Sequence, residues 1–404
     1  MRPFGDLISL DDARTRLRDA VRPLTRVERA PLDALAGRVL AEDVVAATNV
    51  PPFARAMMDG YAVRAADTRG ASRDQARTLT VVGRVFTGEV LQRAVGPGEC
   101  VEIATGAPVP DGASAVVMVE ETSPAGAGRV AIHLEAAEGQ HIGRAGGDIA
   151  AGSVALTAGT HLLPARVGVL AALGRAEARV VARPRVAIVS TGNEVVTPGT
   201  PLAPGHIHDV NRYTLSAAVA AHGGEPVPYA VAGDTVEALT RALTDALACD
   251  VVVFSGGSSV GDRDLMLDVL RARGTIVFHG IATRPGKPTA FGTIGEVPVF
   301  GMPGNPTSCL TNAYVLLVPF LRRMARLPEH RPHVVRAPLS RRVASSAGRT
   351  QFYTVRLVDG RAEPAFKASG DITSMAHADG YVEIPAEVTT LDAGTLVDVV
   401  LFQL

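Results

Sequence analysis

A turn that pins two cations between prolines, Arg284-Pro285-Gly286-Lys287-Pro288, is where residue type and spacing most directly specify chemistry in this chain. Prolines restrict the unfolded-state freedom of such a turn, so its charges are preorganised at little entropic cost and suit an anion. The turn is not a Walker A loop: Lys287 precedes Pro288 where that motif needs Ser or Thr, and Gly280 lies one residue too far upstream. Of the 40 basic residues, Lys287 and Lys367 alone are lysine. A lysine kept where arginine is the habit suggests a site wanting a compact point charge rather than a planar fork. Chance survival is the competing explanation, and it covers Lys367 more readily because only Lys287 sits inside a distinctive turn.

Two further loops carry unusual residues. Ser255-Gly256-Gly257-Ser258-Ser259-Val260-Gly261-Asp262-Arg263-Asp264 follows an apolar run and opens a helix. Glycines let the backbone approach a ligand, and successive N–H groups at a helix start bind an oxyanion, although a plain turn would carry the same string. Met302-Pro303-Gly304-Asn305-Pro306-Thr307-Ser308 precedes a long helix, where Thr307 or Ser308 could cap N–H groups or meet a ligand; capping alone would account for them. Carboxylates supply the other half of a site: Glu194, Asp209, Asp234, Asp262 and Asp264 fall at loop ends. Each could be only an N-cap, but five acids near cations around a phosphate point to Mg2+, a hard ion that bridges protein and phosphate oxygens.

The elements that must position these loops are legible from periodicity. From Arg185 the pattern alternates strand 186–189, helix 211–222, strand 227–231, helix 236–247 and strand 251–254. It continues through 265–270, 276–278 and 297–300 to a long helix over 307–324, where Pro319 is a candidate kink. Strand and helix at this spacing predict a parallel sheet with helices on both faces, and its chemistry belongs where the strands end. Upstream, Ser9 to Asp12 resembles a capping box before apolar Leu10, Ala13, Leu17, Ala20 and Val21 at helical spacing. Short β-branched runs at 79–82 and 115–119 lie among Gly and Pro turns, and a small apolar helix is expected near 164–173. The predicted fold class is therefore α/β multidomain. Residues 1–48 with 141–180 form a discontinuous helical or mixed N-terminal domain, 49–140 a β-rich domain, 181–327 the parallel-sheet three-layer α/β domain, and 328–404 a C-terminal all-β domain.

The totals agree with several cores, since 404 residues exceed what one core usually supports. A hydrophobic share of 47% against 20% charged leaves little room for disorder. A net charge of −1 encodes no pull toward nucleic acid or an anionic membrane, so the partner is expected to be a small molecule. Cys100, Cys249 and Cys309 are odd in number and widely spaced, which argues for buried thiols over a disulfide framework or a zinc site. No apolar run is long enough to span a bilayer and the N-terminus lacks a signal peptide's apolar core, so the expected location is the cytoplasm.

Taken in order, PPFARAMMDGYA at 51–62, TGAPVPDGASAVV at 105–117, STGNEV at 190–195, SGGSSVGDRD at 255–264, RPGKP at 284–288 and MPGNPTS at 302–308 resemble the molybdopterin molybdenumtransferases (the MoeA family) and the related C-terminal domain of gephyrin. The resemblance covers nearly the whole chain and falls on the loops singled out above. It implies a homodimer of four-domain subunits, with 181–327 as the molybdopterin-binding-like domain and the β-rich domain of one chain reaching the α/β domain of the other. The implied reaction takes adenylylated molybdopterin and molybdate, with Mg2+, to the molybdenum cofactor and AMP. Carried over by matching positions, Asp59, Glu194, Asp234, Asp264 and Lys287 are catalytic candidates, with Glu194, Asp59 and Asp234 as metal ligands. Substrate contacts fall to Thr105, Arg144, Asp148 and Asp209, to the loop of Ser255, Gly256, Gly257, Ser258 and Ser259, and to Arg284, Pro303, Pro306 and Ser369. Other cofactor-biosynthesis proteins or apo molybdoenzymes are implied as further partners.

Two segments depart from the family pattern. Ala54, Arg55 and Ala56 replace the usual Asp-Asn-Ser after Pro-Pro-Phe, and 139–148 retains only Arg144 and Asp148 of a segment that usually carries consecutive arginines and a Glu. Fewer arginines weaken anion attraction there. The competing readings are a scaffold or degenerate paralogue of the same fold, and an unrelated α/β enzyme acting on a nucleotide or sugar phosphate.

Overall fold

A computed structural model describes residues 7–256 and 265–402. The chain divides into two compact units, one of Met1–Glu28, Gly37–Val39 and Val180–Leu404, the other of Arg29–Ala36 and Leu40–Arg179.

The first unit is built on a six-stranded sheet of β1 (Arg185–Ser190), β2 (Glu225–Pro228), β3 (Val251–Ser255), β4 (Thr275–His279), β5 (Ala290–Ile294) and β6 (Val297–Met302), in the order β2-β1-β3-β6-β5-β4. Neighbours from β2 to β6 are parallel, whereas β5 runs against both β6 and β4. The expected parallel sheet is present from β2 to β6, and β5, a strand not expected from the sequence, adds an antiparallel pairing. Only Gly295 and Glu296 separate Ile294 from Val297, and a connection that short closes a hairpin and cannot make a crossover.

Strand side chains alternate between two helical layers. Val186 and Ile188 pack with α1 (Leu10–Ala20), α2 (Asn211–Ala221) and the helical segment after Pro306, while Ala187 and Val189 pack with α3 (Val236–Ala246) and α4 (Leu265–Arg273). The result is a three-layer α/β core. Ser9 starts α1 as expected, its hydroxyl accepting the Asp12 amide at 3.0 Å. The helix expected over 307–324 is instead α5 (Pro306–Asn312), a π turn at Ala313–Leu317 and α6 (Val318–Met324). The wider turn comes immediately before Pro319, which has no N–H to give an α ladder.

A second sheet in this unit orders Thr283–Arg284, Thr350–Val358, Gly380–Ile384, Leu396–Leu401 and Val334–Pro338 over its own core. Its first strand belongs to the cation turn, a pairing that no sequence periodicity signals. The other unit holds a six-stranded sheet in which Gly60–Val63 lies between Ala115–Met118 and Glu99–Ile103. All three cysteines are free and buried, in line with expectation. Among the described residues no helix is long and apolar enough to cross a membrane.

His222 closes α2 with 3% exposure, its ring edge-on to Tyr314 and His330 at 6.1 and 5.3 Å between centroids. Burial pushes it down to about 4, with His330 and Arg322 adding repulsion. The folded state therefore keeps a neutral imidazole where the unfolded chain takes up a proton. The associated stability is present above pH 6.5 and is lost as pH falls toward about 4. In urea titrations across that window, His222→Phe is expected to lose less stability on acidification than the wild type; equal losses would contradict this.

Candidate functional site

Parallel register aligns three strand ends: Ser190 is opposite Ser255, and Ser255 opposite Met302. The chain leaves β1 for β2 on one side and returns to β3 on the other, so loops diverge there and leave a crevice at the carboxyl edge. Neighbouring loops are stapled at the same level. Thr191 N donates to Ser255 O at 2.9 Å, Gly256 N to Met302 O at 3.2 Å, and Gly192 N to Ala232 O at 3.2 Å.

The crevice encloses about 1170 Å³. The loops after β1 and β2 bring Glu194 and Asp234 to it, and the Asn193 side chain accepts the Asp234 amide at 3.1 Å. Asp209, just before α2, lines it with one oxygen accepting the Arg212 amide at 3.0 Å, so the N-cap alternative holds for that oxygen. Its other oxygen is buried and has no partner among the described residues. Ser255 and Gly256 form the floor at the end of β3; Gly257, Ser258, Ser259, Asp262 and Asp264 lie outside the described residues.

Arg284 and Lys287 enter from the cation turn, whose Arg284–Pro285 peptide is cis. The Arg284 guanidinium donates to Ser346, and Ala282 O accepts Thr350 N at 2.9 Å, so the C-terminal sheet holds this turn. Pro303 and Pro306 line the crevice with Ser369, which accepts Asn305 Nδ2 on its hydroxyl at 2.9 Å and Thr307 N on its carbonyl at 3.1 Å. Thr307 neither caps nor faces a ligand: its hydroxyl donates to Asp371 O at 2.9 Å. Ser308 does line the crevice.

Sequence reasoning undervalued Lys367 and missed Arg349 and Phe366, all of which line the same crevice from the C-terminal segment. One signal was available: both lysines of the chain stand on this crevice. Cations and carboxylates thus line one cavity, an arrangement suited to an anion bound together with a hard cation.

Asp59, Thr105, Arg144 and Asp148 belong to the other unit. Antiparallel register sets Gly60 opposite Ile103, which brings Asp59 to Thr105. The Thr105 amide donates to Asp59 Oδ1 at 2.7 Å, and this bond, then the Thr105 hydroxyl, holds the Asp59 carboxyl below the usual range. The strand Arg55–Ala56 pairs with Ile142–Gly143, and Asp148 N donates to Val50 O at 3.0 Å, so the 144–148 turn docks on the segment leading to Asp59.

Gly192 sits at φ +139, and a Cβ there would lie 2.7 Å from a Glu194 carboxylate oxygen. Its missing side chain makes the room that Glu194 occupies. Gly192→Ala is expected to cost about 1–3 kcal/mol, read by urea denaturation, through backbone strain and displacement of Glu194; an unchanged midpoint would contradict this.

A doubly wound sheet with charged loops at its carboxyl edge defines an α/β enzyme scaffold with a charged crevice. Residues 8–174 match the profile of the MoeA N-terminal region (domain I and II), 187–323 that of a probable molybdopterin binding domain, and 336–402 that of the MoeA C-terminal region (domain IV). Molybdopterin molybdenumtransferase 2 of Mycobacterium tuberculosis is 39% identical over 393 residues, covering 94% of this chain and 95% of that one. Molybdopterin molybdenumtransferase of Haemophilus influenzae is 35% identical, covering 79% and 78%. Two solved molybdopterin biosynthesis MoeA proteins from Pyrococcus horikoshii superpose with TM-scores of 0.86 and 0.82 at 40% and 31% identity, each covering 98% of this chain and 100% of its own. The chain belongs to the molybdopterin molybdenumtransferase family, and is a transferase of molybdenum cofactor biosynthesis.

Proposed function

We propose that this protein inserts molybdate into adenylylated molybdopterin with Mg2+, releasing the molybdenum cofactor and AMP. The observation that carries the reading is the convergence of Arg284, Lys287, Glu194 and Asp234 on one crevice at the sheet's carboxyl edge. The pterin phosphate, the adenylyl phosphate and molybdate are anions that repel one another, and fixed cations with backbone N–H groups offset that repulsion as charge redistributes. Arg284 and Lys287 hold molybdate or phosphate. The loop beginning at Ser255 and Gly256, continued by Gly257, Ser258 and Ser259, cradles the pterin phosphate, while Asp209, Pro303, Pro306 and Ser369 shape the substrate's seat.

The donor set fits Mg2+. Glu194 and Asp234 offer hard oxygens at one crevice, and this ion characteristically takes one or two carboxylates together with substrate phosphates. Among the described residues no group of three or more His, Cys, Asp or Glu is placed to hold a metal ion by itself. When bound, Mg2+ neutralises charge on the phosphoanhydride.

Asp59, with Thr105, Arg144 and Asp148, is assigned to the same reaction from a second copy of the chain. Phe53, Met57 and Met58, exposed in the segment leading to Asp59, support cover by such a partner in a homodimer. Asp264 serves as a further catalytic acid, the chain folds as four domains, and the protein works in the cytoplasm, where its product passes to apo molybdoenzymes. The test is AMP release from adenylylated molybdopterin, with molybdate or Mg2+ omitted in turn. Release requiring both is expected; no release by a protein that still binds the substrate would favour a scaffold or degenerate paralogue.

A further inference from the structure

We propose that Asn312 is a positioning residue for Lys287, fixing the cation turn from beneath through its side-chain amide. Asn312 is the last residue of α5, before the π turn, and is 2% exposed, so it acts through a neighbour and not on substrate. Its Nδ2 donates to Gly286 O at 2.9 Å and to Thr289 Oγ1 at 2.5 Å, and Thr289 Oγ1 donates in turn to Gly286 O at 2.9 Å. The carbonyl of Lys287 accepts the amides of Ile281 at 3.0 Å and Thr289 at 2.9 Å. Both peptide planes flanking the Lys287 Cα are therefore fixed, the first by Asn312 and Thr289 side chains, the second by backbone. Two fixed planes set the direction in which the Lys287 side chain leaves the turn. Gly286 permits the approach: it sits at φ +104, and a Cβ there would overlap the Asn312 amide. Because α5 begins in the Met302–Ser308 loop, Asn312 also ties that loop's helix to the cation turn, and both the loop and the turn line the crevice.

The inference rests on the reading that Lys287 meets an anionic substrate, and the experiment separates the two. Wild type, Asn312→Ala, Lys287→Met and the double variant are compared in single turnovers of AMP release, varying molybdate and salt. Asn312→Ala is expected to lower kcat/KM for molybdate about 10- to 100-fold, as misplaced catalytic groups do, and to flatten the salt dependence as Lys287→Met does. In the Lys287→Met background the same substitution should add less than about twofold, because the two residues act as one unit. Multiplying losses, or wild-type turnover by Asn312→Ala, would overturn the proposal. Should Asn312→Ala not fold, Asn312→Asp, of equal size but without the amide donor, is judged by the same criteria. Wild-type turnover by Lys287→Met would overturn the substrate reading and the inference together, whereas loss in Lys287→Met alone would sink only the inference.

Discussion

Lys287→Met is expected to lower molybdate-dependent AMP release by about 100- to 1000-fold in a protein that still folds. The magnitude follows from removing a preorganised charge at the point where anionic groups are brought together, a role for which enzymes typically lose that much rate. Its turn is fixed on both sides of Lys287 by hydrogen bonds, so truncating the side chain leaves the loop geometry in place. Arginine is not an equivalent replacement, because a planar fork needs more room and directs its donors differently from an ammonium. Lys287→Arg should therefore recover only part of the rate. Steady-state kinetics with molybdate varied will read the effect, and turnover by Lys287→Met within a few-fold of wild type would remove Lys287 from the mechanism.

Asp59→Asn carries the second large effect, a loss of about 100-fold or more, comparable with removal of one oriented electrostatic group. Asparagine keeps an oxygen to accept the Thr105 amide, so the substitution removes charge while preserving the contact that places the side chain. That same contact holds the Asp59 carboxyl below its usual range, which keeps it ionised down to more acidic pH than an ordinary aspartate. A loss of activity from its protonation therefore sets in only below the ordinary carboxylate range, as pH falls through the lowered value. Mixing Asp59→Asn with Lys287→Met protein tests whether one site draws on two chains. If it does, exchange of subunits should restore roughly a quarter of the wild-type rate, since half the dimers are hybrids and each hybrid holds one intact site. No recovery after demonstrated exchange would place Asp59 and Lys287 in the same chain's site.

Much of the crevice was legible because it lies at strand ends. The apolar runs that became β1, β3 and β6 are buried except at Val297 and flanked by glycine-rich turns, so they mark both the sheet and the loops that must converge at its edge. What escaped has a common cause in non-local pairing. β5, with a glycine at its centre, reads weakly as a strand and is defined by the hairpin with β6. Thr283–Arg284 becomes a strand only because Thr350–Gln351 pairs with it. Arg349, Phe366 and Lys367 reach the crevice from a different sheet, and no local pattern connects them to Glu194 or Lys287. Asn312 falls inside a helical pattern, where a buried asparagine shows its purpose only once its partners at Gly286 and Thr289 are known. Conversely, the rarity of lysine in this chain is a signal carried by composition alone, and both lysines stand on the crevice.

The fate of molybdenum in a single reaction is the decisive measurement. Purified protein is given adenylylated molybdopterin, molybdate and Mg2+, the pterin product is separated by chromatography, and its molybdenum is measured by mass spectrometry against the AMP released. One molybdenum gained by the pterin for each AMP that leaves is the expected result. AMP released with a molybdenum-free pterin would mean that the crevice only hydrolyses the phosphoanhydride, and would contradict the assignment.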